Sequence, residues 1–190
     1  IIAHATNPAG ATAIGDGVEL AHNTLLPVAG FNHKAIIVFT DGHETASKYI
    51  SDIAGLINER VYAIGLGTAD QLNPTALNEL TDSSGGFLLM TGNLGSNDLF
   101  RLGKYYLQIL AGVTNTNIVV DPESSLLPGQ LHRIPFDLAE TDFGSDVILL
   151  APTPWAFAFM LERPDGTVID ATAAAGIPGM RYVAADQTHY

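Results

Sequence analysis

Apolar positions along the first half of the chain follow two alternating rhythms. Val18, Ala21, Leu25 and Leu26 fall on one face of a predicted helix that Pro27 and Gly30 bring to an end. Ala35-Ile36-Ile37-Val38-Phe39 follows as an unbroken apolar run rich in β-branched residues, the pattern of a parallel strand covered on both faces. Ala46, Tyr49, Ile50, Ile53, Ala54 and Ile57 return to helical spacing. Val61-Tyr62-Ala63-Ile64 reads as a second buried strand, closed by Gly65 and Gly67. Asn73-Pro74 has the form of an N-cap followed by proline at the first helical position, opening a short helix to about Leu80. Gly85-Gly86 leads into Phe87–Met90, a third strand, and Asp98 caps a last helix with Leu99, Gly103, Tyr106, Leu107 and Leu110 facing the core. Strand–helix alternation of this kind implies right-handed crossovers and a Rossmann-like parallel sheet flanked by helices, an α/β fold.

Beyond Val113 the helical period disappears. Thr114–Asn117 is polar and turn-like, a natural linker. Ile134, Phe136 and Leu138 alternate with other residues, as do Trp155, Phe157, Phe159 and Leu161, and period two with one apolar face predicts antiparallel strands in a sandwich-like, all-β layer. The stripe from Trp155 to Phe159 is read as sandwich core. Pro164-Asp165-Gly166 is a hairpin turn between two short strands.

Composition narrows the functional classes. The 190 residues include 20 acidic and 8 basic side chains, a formal charge of −12, and no cysteine. Sparse, scattered Lys and Arg argue against nucleic-acid binding and against a polybasic membrane-surface module. The lack of cysteine removes disulfides, Cys-ligated zinc and thiol catalysis. The longest uncharged stretch, Val147 to Leu161, is shorter than the ~20 apolar residues of a membrane span, and Pro152 and Pro154 interrupt it.

Three features of the first half carry candidate chemistry. Gly10-Ala11-Thr12-Ala13-Ile14-Gly15 places a hydroxyl just before a helix. Phe39-Thr40-Asp41-Gly42 places a carboxylate at the carboxyl end of a parallel strand, the edge outside which α/β sheets build their sites. Ala63-Ile64-Gly65-Leu66-Gly67 closes the next strand; it fails as a dinucleotide fingerprint, since the third glycine position is Asp70 and no long helix starts there. Taken alone, Asp41 could equally satisfy local backbone donors, and Thr12 could be a bystander at a helix start. His43 and Glu44 beside Asp41, together with His4, raise a metal-dependent hydrolase as a further reading, which requires the side chains to converge on one point. The histidines at 22, 33, 132 and 189 have no ligand spacing.

The order and spacing of these motifs, with Leu77-x-x-Leu80 and Gly85-Gly86 after them, resemble a von Willebrand factor type A (vWA) domain over about Gly10 to Val113. The resemblance implies a metal-ion-dependent adhesion site in which Mg²⁺ (or Mn²⁺ or Ca²⁺) sits at the top of the sheet. In that family the threonine matching Thr12 ligates the ion directly, and the aspartate matching Asp41 does so directly or through water. Six oxygens with few carboxylates suit Mg²⁺ and leave room for a carboxylate of a protein partner. The implied function is therefore a metal-dependent protein-binding or adhesion module, not an enzyme; the compartment is left open, with an extracellular or cell-surface one favoured. A non-adhesive scaffold subunit of a multi-protein complex is the alternative. The family's leading Asp-x-Ser-x-Ser motif is found nowhere in the sequence. Either the first strands of such a domain lie outside the chain or the metal site is degenerate; the expectation is the former, with residues 1–113 as the carboxyl-terminal two-thirds of the domain. The Ile1-Ile2-Ala3-His4 start, with no initiator Met, agrees with this. Residues 114–190 are expected as a β-sandwich-like domain, and they resemble the sandwich that follows the type A domain in some bacterial surface proteins and in calcium-activated chloride channel regulators.

Overall fold

Residues 10–41, 43–185 and 188–189 are described by the computed structural model. They divide into two units: one runs through Ser96 and includes Tyr105–Thr116, the other comprises Asn97–Lys104 and the chain from Asn117 onward. Among the described residues no helix is long and apolar enough to cross a membrane.

The first unit is built from α1 (Ile14–Leu25), β1 (Ala35–Thr40), α2 (Ile50–Ile53), β2 (Arg60–Gly65), α3 (Pro74–Asp82), β3 (Leu88–Met90) and most of α4 (Phe100–Thr114). The three strands form one parallel sheet in the order β1-β2-β3, with Ala35 opposite Arg60, Thr40 opposite Gly65 and Gly65 opposite Met90. The apolar rhythm explains the layers. On one face Ile36, Val38, Val61 and Ala63 pack with Ile14 and Val18 of α1, Ile50 and Ile53 of α2, and Leu77 and Leu80 of α3. On the other, Tyr62 and Ile64 meet Ile109 of α4, with Tyr105, Val113, Phe87 and Leu89 around them. The start of α3 follows its local sequence: Asn73 Oδ1 accepts the Ala76 amide at 3.2 Å and Pro74 occupies the first turn.

Three expectations are corrected here. β1 is covered on one face only: Ile37 and Phe39 remain 42% and 46% exposed, because α4 lies over β2 and β3 and no strand flanks the outer edge of β1 among the described residues. The helix expected from Ala46 shrinks to Ile50–Ile53 and a 3-10 turn, Ala54–Leu56; the residues before it are drawn into a loop that bonds to other parts of the chain. In α4 the inward face is Tyr105, Ile109 and Val113, while Tyr106 and Leu110, and Leu99 just before the helix, are exposed. Gly112 sets this phase, since a Cβ there would already lie 3.1 Å from the Tyr62 hydroxyl and 3.2 Å from the Phe87 ring.

The second unit contains β4 (Leu149–Leu150), β5 (Leu161–Glu162), β6 (Val168–Ile169), a short helix α5 (Ala171–Ala174), β7 (Ala184–Ala185) and β8 (Thr188–His189). The strands make two small antiparallel sheets, β4-β8-β7 and β5-β6. The Pro164-Asp165-Gly166 turn is as expected: Arg163 N–H donates to the Thr167 carbonyl at 2.9 Å, Thr167 N–H donates to Asp165 Oδ1 at 2.8 Å, and Gly166 takes a φ of +83°. The Ile134–Leu138 alternation forms no strand, and Pro135 removes one of the amides a ladder would need. Pro154 starts a 3-10 turn, Pro154–Ala156, that leaves Trp155 exposed outside any core. Nor is the region all-β, because Asp170 accepts the amides of Thr172 and Ala173 and so caps α5. Lys104 binds Asp121 at 3.2 Å and Glu123 at 3.0 Å; burial lowers its ammonium pKa, but these carboxylates more than restore it, to above the ordinary lysine value.

Candidate functional site

The carboxyl ends of β1 and β2 define a rim on which most of the candidate residues lie. Thr40, the last residue of β1, is buried, and its carbonyl accepts the Leu66 amide at 2.7 Å, tying the two strand ends together. Asp41 follows it and is exposed. Beyond β2, Thr91 accepts the Gly67 amide at 3.2 Å, and the Thr68 hydroxyl donates to Asp70, which holds that carboxyl below the usual carboxylate range. Gly42 lies outside the described residues, as does His4.

Thr12 reaches this rim because the loop before α1 is bonded to the loop after β1. Thr12 N–H donates to Thr45 Oγ1 at 2.8 Å, and the Thr12 carbonyl accepts from Thr45 N–H at 2.8 Å and Ala46 N–H at 3.2 Å. Glu44 adds a second tie. Its Oε1 accepts the Gly15 amide at 3.1 Å and the Ile50 amide at 2.9 Å, and its Oε2 accepts the same Ile50 amide at 3.0 Å. Ala13 offers α1 no side-chain cap, so a carboxylate distant in sequence takes one of the unsatisfied amides of the first turn. Lys48 adds a third tie, with its ammonium 2.7 Å from both oxygens of Glu19 on α1. That hydrogen bond, with the acidic charges nearby, raises the Lys48 pKa above its ordinary value.

The close approach depends on Gly15. A Cβ at this position would lie 2.7 Å from the Lys48 carbonyl oxygen and nearer still to that of Tyr49. The glycine closing the Gly10–Gly15 loop is therefore a packing requirement of the rim.

Among the described residues no hydrogen bond or ion pair engages the Asp41 carboxylate. Thr12 has both backbone polar groups committed to the neighbouring loop, which fixes the residue and leaves its hydroxyl as the group on offer. A hydroxyl and one carboxylate are oxygen donors of the kind a hard divalent cation takes, so their chemistry fits Mg²⁺. Their number falls short of a closed shell, and among the described residues no three His, Cys, Asp or Glu side chains gather where they could hold a metal ion. Glu44, one of the residues of the hydrolase reading, spends its oxygens on backbone amides instead. No hydrogen bond among the described residues links it to Asp41 or His43. Thr45 was not visible as a site residue in the sequence; its signal is a contact with a partner 33 positions away.

An open groove of about 340 Å³ runs beside the rim along β1. Ile14, Val18 and Ala21 of α1 line one side, and Ile37, Phe39 and Thr40 line the other.

No family model and no curated protein sequence matches the chain. Among solved structures, proximal thread matrix protein 1 from the mussel byssus is similar at 27% sequence identity over 55% of this chain, with a TM-score of 0.39. The match spans 24% of that protein's own chain.

Proposed function

We propose that the first unit is a vWA-type, metal-dependent protein-binding module, and that Thr12 and Asp41 supply two of the oxygens around a divalent cation at the rim. One observation carries the reading: two loops far apart in sequence are bonded together at the carboxyl edge of a parallel sheet, and among the described residues no hydrogen bond or ion pair engages the Asp41 carboxylate. The family's Asp-x-Ser-x-Ser motif is not in this sequence, so in this reading Thr12 and Asp41 are two of the ion's ligands and do not by themselves complete its shell. When bound, the ion would supply a positive Lewis-acid centre for an acidic side chain of a partner. The chain's own part is to fix the Thr12 loop against β1 and to present Asp41 to solvent.

Mn²⁺ is a direct probe, because its paramagnetism broadens the amide resonances nearest to it. Broadening confined to the neighbourhood of Thr12, Asp41 and Thr45, competed by Mg²⁺ and lost in Asp41→Ala, is the expected outcome. Broadening centred elsewhere, or unchanged in Asp41→Ala, overturns the reading.

A further inference from the structure

We infer that Glu44 is the positioning residue of this rim: it sets the spacing between Thr12 and Asp41 without touching the ion or the partner. The inference rests on the reading that those two residues act together.

Glu44 stands three residues past Asp41, and its carboxylate reaches two other elements. It takes the amide of Gly15 in the first turn of α1 and the amide of Ile50 that opens α2. Charge-assisted bonds from a carboxylate to backbone amides are among the stronger ones a fold contains. Both helices are thereby held to one side chain, and that side chain belongs to the loop that carries Asp41. The Thr12–Thr45 bonds lie next to this junction and depend on the two loops staying in register. Lys48 and Glu19 also link the loop to α1, but both are solvent-accessible, and exposed ion pairs hold little. Gly15 allows the approach, and Glu44 fastens it.

Removing Glu44 should therefore release contacts it does not itself make. Three variants separate the possibilities: Glu44→Ala, which removes the acceptors; Glu44→Gln, which keeps one oxygen for Gly15 and Ile50; and Glu79→Ala, which removes an exposed charge of the same sign elsewhere. Hydrogen exchange at the Thr12 and Thr45 amides reads the clamp, and Mn²⁺ affinity reads the site. In Glu44→Ala both amides should exchange roughly tenfold faster, the loss expected when about one net hydrogen bond is removed. Mn²⁺ affinity should fall by about tenfold or more, as for other residues that orient metal ligands. Glu44→Gln should fall between Glu44→Ala and the native protein on both scales, and Glu79→Ala should match the native protein. Should Glu44→Ala not fold, the Gln variant decides on the same two measurements.

Unchanged exchange at Thr12 and Thr45, or opened amides with native Mn²⁺ affinity, overturns the inference. If the native protein takes up no Mn²⁺, the metal reading fails, and the positioning role at an ion fails with it. The exchange measurement would still show separately whether Glu44 clamps the two loops.

Discussion

Alanine at Gly15 and at Gly17 should shift stability in opposite directions, although both glycines belong to the start of the same helix. Glycine inside a helix is disfavoured relative to alanine by about 1 kcal/mol, so either substitution gains that amount from the backbone alone. At Gly17 nothing lies within 4 Å of the added methyl, and the gain should be realised. At Gly15 the new Cβ meets the main chain of the loop after β1, 2.6 Å from the Tyr49 carbonyl carbon and 2.7 Å from the Lys48 oxygen. Main-chain atoms cannot swing aside as a side chain can, so the loop or the helix must move. Overpacking of this kind costs about 1–3 kcal/mol or more, and the shift also disturbs the Gly15–Glu44 bond, worth about 1.5–3 kcal/mol as a bond to a charged group. Set against the helical gain, the net change should be a loss of about 2 kcal/mol or more. For a chain of this size, each kcal/mol moves the midpoint by about 2–4 °C. Thermal and urea unfolding followed by far-UV circular dichroism should place Gly17→Ala a few degrees above the native protein and Gly15→Ala clearly below it. A Gly15→Ala protein at least as stable as the native one would falsify the close approach of α1 to the Lys48–Tyr49 backbone, and with it the account of how Thr12 reaches the rim.

Other expectations concern single side-chain bonds elsewhere in the same unit. His22 Nδ1 lies 2.7 Å from Glu59 Oε2, with side chains only 10% and 9% exposed. Burial pushes the Glu59 carboxyl up, but the His22 hydrogen bond and charge, with local backbone amides, outweigh it and hold the pKa below 4.5. A carboxyl lowered in the folded state contributes its stability fully above the unfolded pKa and loses it as pH falls through the folded value. The stability gap between native protein and Glu59→Gln, about 1–3 kcal/mol at neutral pH, should therefore narrow as urea midpoints are followed below pH 4.5; a gap that stays constant down to pH 3 would count against the pair. Asn73→Ala removes the cap of α3 and should cost about 1 kcal/mol by the same denaturation measurement, while Asn73→Ser should recover most of it.

How far these features could be read from the sequence depends on whether their causes are local. The Asn73-Pro74 helix start and the Pro164–Gly166 turn carry their own capping and turn chemistry, and both appear where the residues place them. The apolar run Val61–Ile64 is buried on both faces as its composition suggests, whereas the like run of β1 is not, because β2 takes the central place in the sheet and β1 an edge. The face of α4 was not legible, since Leu99, Tyr106 and Leu110 make as good a stripe as Tyr105, Ile109 and Val113. The choice between them is made by Gly112 against Tyr62 and Phe87, residues of other elements. The residues from Ala46 to Tyr49 have helical spacing, yet Glu44 and Thr12 draw that stretch into a loop through bonds the spacing cannot encode. Thr12 and Asp41 were legible as candidates by type and position. The Glu44 and Thr45 bonds that bring their loops together were not.

The exposed position of Trp155 has a practical bearing on how this protein can be observed. It is the only tryptophan, and it belongs to the second unit, where its ring stands largely in solvent. Its emission will therefore be that of a hydrated indole in the native state and will change little on denaturation, so a fluorescence melt will look flat while the sheet comes apart. The reporter for the rim-bearing unit is Tyr62, fully buried and packed edge-on against Phe87 at 4.9 Å between ring centres. A tyrosine held that rigidly gives near-UV dichroism, and the loss of that signal marks the opening of the sheet between β2 and α4.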